Sequence, residues 1–242
     1  MSFQKCTHQG NNKFGDSAGK QCTCCSLFSI AFTLTKSPGH WDSHDLDFIV
    51  NMGDRIYKEV NIPTYLALTE LPHEISLFES FVSVNYLENK FGFVGGYSVP
   101  GWLFNNNISP NASGLLLLMK GVCISVTWTR NKKDYFLFDS HSKNECGKCC
   151  PNGYSVLLKF QSKRSLESHI IENYLERDDV NIQFEIEYVQ VIKRNDEIDF
   201  SISYRQIRDR SRKSTDKAKK RNAERMATNS EKKRSLVIEF LS

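Results

Sequence analysis

The chain lacks any apolar run of the roughly 18 residues that a membrane-spanning helix needs. The longest candidate, around Leu115 to Trp128, is interrupted by Lys120, so a soluble protein without a membrane partner is expected. Met1 to Lys20 lack the apolar core of a secretory signal, being polar and rich in Gly and Asn. An intracellular, reducing compartment, cytoplasm or nucleus, is the expected setting. The 8 cysteines then read as free thiols, metal ligands or a nucleophile rather than a disulfide framework. Metal patterns are sparse: His8, His40, His44, His73 and His169 show no ligand spacing, and Cys146-x-x-Cys149-Cys150 has no second Cys-x-x-Cys to complete a four-ligand site. No cofactor and no metal are assigned.

What is present excludes disorder of the whole chain. Of 242 residues, 40% are hydrophobic and 12% aromatic, enough to core one large or two modest domains. The formal charge of +4 hides an asymmetry. Arg205 to Arg234 carry 13 Lys and Arg against 4 Asp and Glu, a net +9 that leaves −5 for the rest. Beyond Ser201 hardly a large apolar residue occurs until Leu236, as in a solvated helix or disordered linker. The boundary is therefore set near 200, with a folded domain over 1–200 and a basic linker or tail over 201–242. The tail lacks the interleaved aromatics used to bind single strands, so any nucleic-acid contact there would be to phosphates alone. A solvated tail is the preferred reading.

Periodicity places the elements. Leu27, Ile30, Ala31 and Leu34 share one helical face, in a helix beginning near Cys22. Asp42-Ser43 offers N-caps to a second helix over Asp45 to Val60. Leu77 to Val94 reads as short strand or irregular structure. Val122 to Thr129, Asp134 to Asp139 and Tyr154 to Phe160 are β-branched and aromatic runs separated by turn signals, hence consecutive antiparallel strands. A helix over Ser165 to Glu176 and a strand over Ile182 to Ile192 complete an α+β order.

Two separated signals suggest one chemistry. Cys22 falls at a predicted helix N-terminus, where unpaired N–H groups and the macrodipole favour a thiolate. Asp139 and His141, two apart on an extended segment, project to one side, so the carboxylate can hold the imidazole's tautomer. A Cys–His pair with an acidic third member suits acyl transfer. Gln9 can supply a side-chain N–H to the oxyanion, with the Cys22 backbone N–H as partner. The bland alternative is a core cysteine and a capping Asp-Ser beside a surface histidine. Cys24 and Cys25 also flank Cys22, but Cys25 lies inside the first turn and Cys24 points elsewhere, leaving Cys22 nearest the dipole's end.

The ordered strings Gln9-Gly10-Asn11-Asn12-Lys13-Phe14-Gly15, Ala18-Gly19-Lys20-Gln21-Cys22 and Phe138-Asp139-Ser140-His141-Ser142 resemble those of the herpesvirus large tegument protein deubiquitinases and of similar tegument-like enzymes outside viruses. Gly53-Asp54-x-x-Tyr57 and the Pro151-Asn152-Gly153 turn extend the likeness over roughly residues 5 to 195. The resemblance implies a papain-like α+β cysteine protease, with an N-terminal helical part carrying the Cys and an antiparallel sheet carrying the Asp-x-His. It implies ubiquitin or polyubiquitin as partner and cleavage after the terminal Gly-Gly by a monomer. Carried over by position, Cys22 is the nucleophile, His141 base and acid, Asp139 its orienter and Gln9 the oxyanion donor. Two other readings stay open: a peptidase for another ubiquitin-like modifier, and a non-catalytic zinc-stabilised module binding nucleic acid through its tail, with Cys24, Cys25, Cys6 or His8 completing the Cys146/Cys149/Cys150 cluster. Gly95, Gly96, Trp102 and the Gly121 region are candidate walls of a narrow channel for a Gly-Gly end, but read equally well as ordinary turn glycines and a core tryptophan, and none is named a site.

Overall fold

In the computed structural model, residues 6–78, 80–94, 110–129, 131, 133–176, 181–194 and 204–209 are described. The chain divides into two units, Met1–Ile198 and Asp199–Ser242. In the second, residues 204–209 are helical. The rest of the basic tail, with Gly95, Gly96 and Trp102, lies outside the described residues. Among the described residues no helix is long and apolar enough to cross a membrane.

The first unit begins with a 3-10 turn, Asn12–Ser17, then α1 (Cys22–Phe32) and α2 (Ser43–Val60). Strands β1 (Glu74–Leu77), β2 (Ser80–Val94), β3 (Gly114–Met119), β4 (Val122–Trp128), β5 (Tyr135–Lys143) and β6 (Tyr154–Phe160) follow, then α3 (Lys163–Tyr174) and β7 (Ile182–Lys193). The seven strands form one antiparallel sheet in the order β1-β2-β7-β3-β4-β5-β6. Helices followed by an antiparallel sheet match the α+β expectation, and β4, β5 and β6 are the three consecutive strands read from sequence.

Strand alternation sorts the core into two layers. Leu115 and Leu117 of β3, Ile124 and Val126 of β4, Tyr135 and Leu137 of β5, and Ile186 and Tyr188 of β7 pack with Leu166 and Ile170 of α3. The intervening positions meet α1 on the other face: Ser26 Oγ donates to the Cys123 carbonyl at 3.1 Å, and Ser29 and Ser125 hydroxyls sit 2.5 Å apart. Every residue of α1 is buried, as expected of a helix enclosed between a sheet and a second helix. Its serines are tolerated there because each finds a partner. On the outer side α2 buries Leu46, Ile49, Val50, Gly53, Ile56 and Tyr57. A Cβ on Gly53 would lie 2.5 Å from Cys25 Sγ and 2.7 Å from its backbone N, so the glycine sets how closely α2 approaches α1. A capping box fixes where α2 starts: Asp42 accepts from the Asp45 N–H at 3.2 Å, and Asp45 accepts from the Asp42 N–H at 2.6 Å.

Two elements differ from the sequence reading. Over Leu77 to Val94 the structure has a 15-residue strand, β2, where short or irregular structure was expected. The apolar run Gly114–Met119, to which no element was assigned, is the central strand β3 between β7 and β4. Smaller shifts affect α3, which starts two residues early because Ser162 caps it, accepting from the Ser165 N–H at 3.1 Å.

Candidate active site

Residues from four parts of the chain meet at the end of β5. The loop before α1 is fastened to the strand through Gln9, whose N–H donates to the Ser140 carbonyl at 2.8 Å. The Gln9 carbonyl accepts from Gly19 N at 3.1 Å, and Gly19 takes φ +83°, a turn that favours glycine. That turn delivers the chain to Cys22, the first residue of α1. The Gln9 side chain is buried, and its Oε1 has no hydrogen-bond partner.

On the strand, Asp139 and His141 come after the last β4 pairing at Phe138, and the β6 register shifts between Asp139 and Lys143. Such an irregularity lets a strand end re-aim its side chains. One oxygen of the fully buried Asp139, Oδ1, accepts from the His141 N–H at 2.8 Å and lies 2.6 Å from His141 Nδ1. With Nδ1 committed to Asp139, Nε2 is the ring nitrogen left for Cys22, whose ionisation is linked to that of His141. The other oxygen, Oδ2, accepts from the Tyr174 hydroxyl at 2.6 Å and lies 3.2 Å from Lys143 Nζ. Sequence reasoning assigned no role to either of these two residues.

The electrostatics follow from these partners. Burial opposes ionisation of Asp139, but the hydrogen bond and charge of His141, the Lys143 ammonium and the Tyr174 hydroxyl outweigh it and hold the carboxyl well below its usual range. Burial likewise disfavours charge on His141, yet hydrogen bonds to Asp139 and Cys22 and their charges push its pKa up to about 10. For Cys22 burial again works against the anion, and the hydrogen bond and charge of His141 outweigh it, so the thiol is shifted down. Cys24 and Cys25, enclosed by α1's own packing, are shifted up chiefly by burial. Of the three neighbouring thiols, only that of Cys22 is shifted down.

Cys22 is just 2% exposed but lines a cleft of about 500 Å³ with Tyr65, Leu66, Gly121, Phe184 and Glu185 among its walls. Gly121 is the one candidate wall from the sequence that falls among the described residues. Cys146 and Cys149 are exposed and Cys150 half-buried, in the turn between β5 and β6. The Cys150 N–H donates to the Ser142 carbonyl at 3.1 Å. Among the described residues no three His, Cys, Asp or Glu come together to hold a metal ion. Cys24 and Cys25 are inside α1 and Cys6 donates to the Ser155 carbonyl at 3.1 Å.

Residues 6–195 match the model of a family described as the herpesvirus tegument protein, N-terminal conserved region. A search of curated proteins finds no match. Among solved structures, the fold is similar to that of the ubiquitin-specific protease encoded by a murine cytomegalovirus tegument protein, determined in complex with a ubiquitin-based suicide substrate. The TM-score is 0.61 at 16% sequence identity, over 85% of this chain and 93% of that one. At that identity the likeness is one of fold.

Proposed function

We propose that this chain, which belongs to the family of the herpesvirus tegument protein N-terminal conserved region, is a papain-like cysteine deubiquitinase that hydrolyses the bond after the C-terminal Gly-Gly of ubiquitin. The observation that carries this reading is the His141 ring held by Asp139 at 2.6 Å, with Cys22 at the start of α1 and its thiol shifted down by that histidine. The similar murine cytomegalovirus protein is a ubiquitin-specific protease, which supports ubiquitin as substrate.

The steps follow from the pair. Cys22 thiolate attacks the carbonyl carbon of the terminal glycine, and the carbonyl oxygen takes up the negative charge. The Cys22 backbone N–H at the start of α1 and the Gln9 amide donate to that oxyanion. A donor aimed at where the oxyanion forms acts mainly in the transition state. His141 gives its proton to the leaving amine, and the C–N bond breaks to leave a thioester on Cys22. Neutral His141 then takes a proton from water, whose oxygen attacks the thioester and releases the ubiquitin carboxylate and the thiolate. Asp139 remains ionised throughout and fixes the ring. The cleft beside Cys22 receives the ubiquitin tail. The enzyme domain spans 1–200 and acts as a monomer.

Hydrolysis of a fluorogenic ubiquitin C-terminal amide tests the reading. Wild type releases the fluorophore, whereas Cys22→Ala and His141→Ala release essentially none while keeping wild-type circular dichroism. A folded wild type that cleaves no ubiquitin substrate contradicts the proposal, and preferential cleavage of a parallel substrate built on another modifier reassigns its specificity.

A further inference from the structure

Asp139 has two oxygens with separate duties. Oδ1 is used entirely by His141, through its backbone N–H at 2.8 Å and its ring at 2.6 Å. Oδ2 is held by the Tyr174 hydroxyl at 2.6 Å and by Lys143 Nζ at 3.2 Å. The holders support one another: Lys143 Nζ lies 4.3 Å from the centre of the Tyr174 ring, within cation–π range. A further donor goes to Cys149 Sγ at 3.5 Å. The Lys143 side chain is only 3% exposed and that of Asp139 is fully enclosed. Charges so placed are kept only with close partners, because their desolvation is otherwise uncompensated.

A buried carboxylate bonded on one edge alone could swing about its Cβ–Cγ bond and carry Oδ1 away from the imidazole. Bonds on both edges remove that freedom. We propose that Tyr174 and Lys143 are positioning residues of the active site: by clamping Oδ2 they hold Oδ1 on His141, and so the imidazole on Cys22. Resting on the deubiquitinase reading above, this inference adds two residues that act through Asp139 and touch no substrate. It also gives α3 a task in the site. The helix stands on the sheet face opposite α1, and its last residue reaches the site from that side.

Tyr174→Phe is the discriminating variant. It keeps the ring and its packing under Lys143 and deletes one donor. With a ubiquitin substrate, kcat should fall roughly tenfold with KM unchanged, well short of the roughly 10⁴-fold that loss of a triad carboxylate's function can cost. Lys143→Met should act in the same direction and Lys143→Arg should restore part of the rate, since a guanidinium keeps the charge. The effect must also depend on Asp139. In an Asp139→Ala background, Tyr174→Phe should lower kcat no further, whereas a residue that only fastens α3 to β5 would act equally in both backgrounds. By proton NMR the His141 Nδ1–H signal, shifted downfield by its bond to Asp139, should broaden or move upfield in Tyr174→Phe. A folded wild type without turnover overturns the deubiquitinase reading and this inference with it. An active wild type whose Tyr174→Phe variant keeps both kcat and the Nδ1–H signal, or loses kcat equally with and without Asp139, overturns this inference alone.

Discussion

Cys22 and Cys24 are two residues apart on one helix, yet their surroundings drive their thiols in opposite directions. The difference is His141, which offsets burial at Cys22 and has no counterpart at Cys24. The alkylation rate of Cys22 should therefore rise with pH at values below the ordinary thiol range of about 8.5. Turnover should reach a plateau and fall as the imidazolium loses its proton near pH 10. Asp139 is the largest influence raising that histidine, so Asp139→Ala should lower its pKa and move the alkaline limb to lower pH. A limb that stays in place would separate Asp139 from His141. Gln9→Ala should cost roughly 2.7–4 kcal/mol in the barrier, about a hundred- to thousandfold in kcat, with ubiquitin affinity unchanged. Side-by-side turnover and binding measurements check this. The alternation that brings Asp139 and His141 together was legible in the sequence, and it extends to Lys143, two residues further along the same strand. Tyr174 left no such mark. Its hydroxyl reaches Asp139 across 35 residues, and no local pattern encodes that return.

At the scale of elements, Cys22 is placed by how α1 is gripped between the sheet and α2. Gly53→Ala adds a methyl within 2.5–2.7 Å of Cys25 atoms, two of them backbone. The helices must part, so a loss of roughly 1–3 kcal/mol is expected. Thermal unfolding should show it as a lower Tm, and an unchanged Tm would mean the contact is not tight. Those helices were readable because each carries a signal, apolar residues at helical spacing in α1 and N-cap residues before α2, although α1 is buried all round and Leu34 lies beyond its end, exposed. The sheet was read unevenly. β3 lies between two strands and is covered on both faces, so its sequence is one apolar run without a period. β2 exposes much of its outer half on both faces, including Phe91 and Phe93. Polar and aromatic residues therefore alternate there without a buried side to mark a strand.

Over the whole folded unit, the sheet joins chemistry delivered from two opposite layers. α1 brings the thiol from one face and α3 brings Tyr174 from the other, while β5 holds the Asp139–His141 pair at its own end. We propose that this convergence makes one thiol out of eight a nucleophile toward ubiquitin. A ubiquitin probe ending in a propargyl amide, followed by mass-spectrometric mapping, tests this most directly. The wild type should gain one ubiquitin on the peptide bearing Cys22, and Cys22→Ala should gain none although Cys24 and Cys25 remain. A folded wild type that stays unmodified, an adduct on Cys146, Cys149 or Cys150, or a Cys22→Ala variant that reacts equally well would contradict the account.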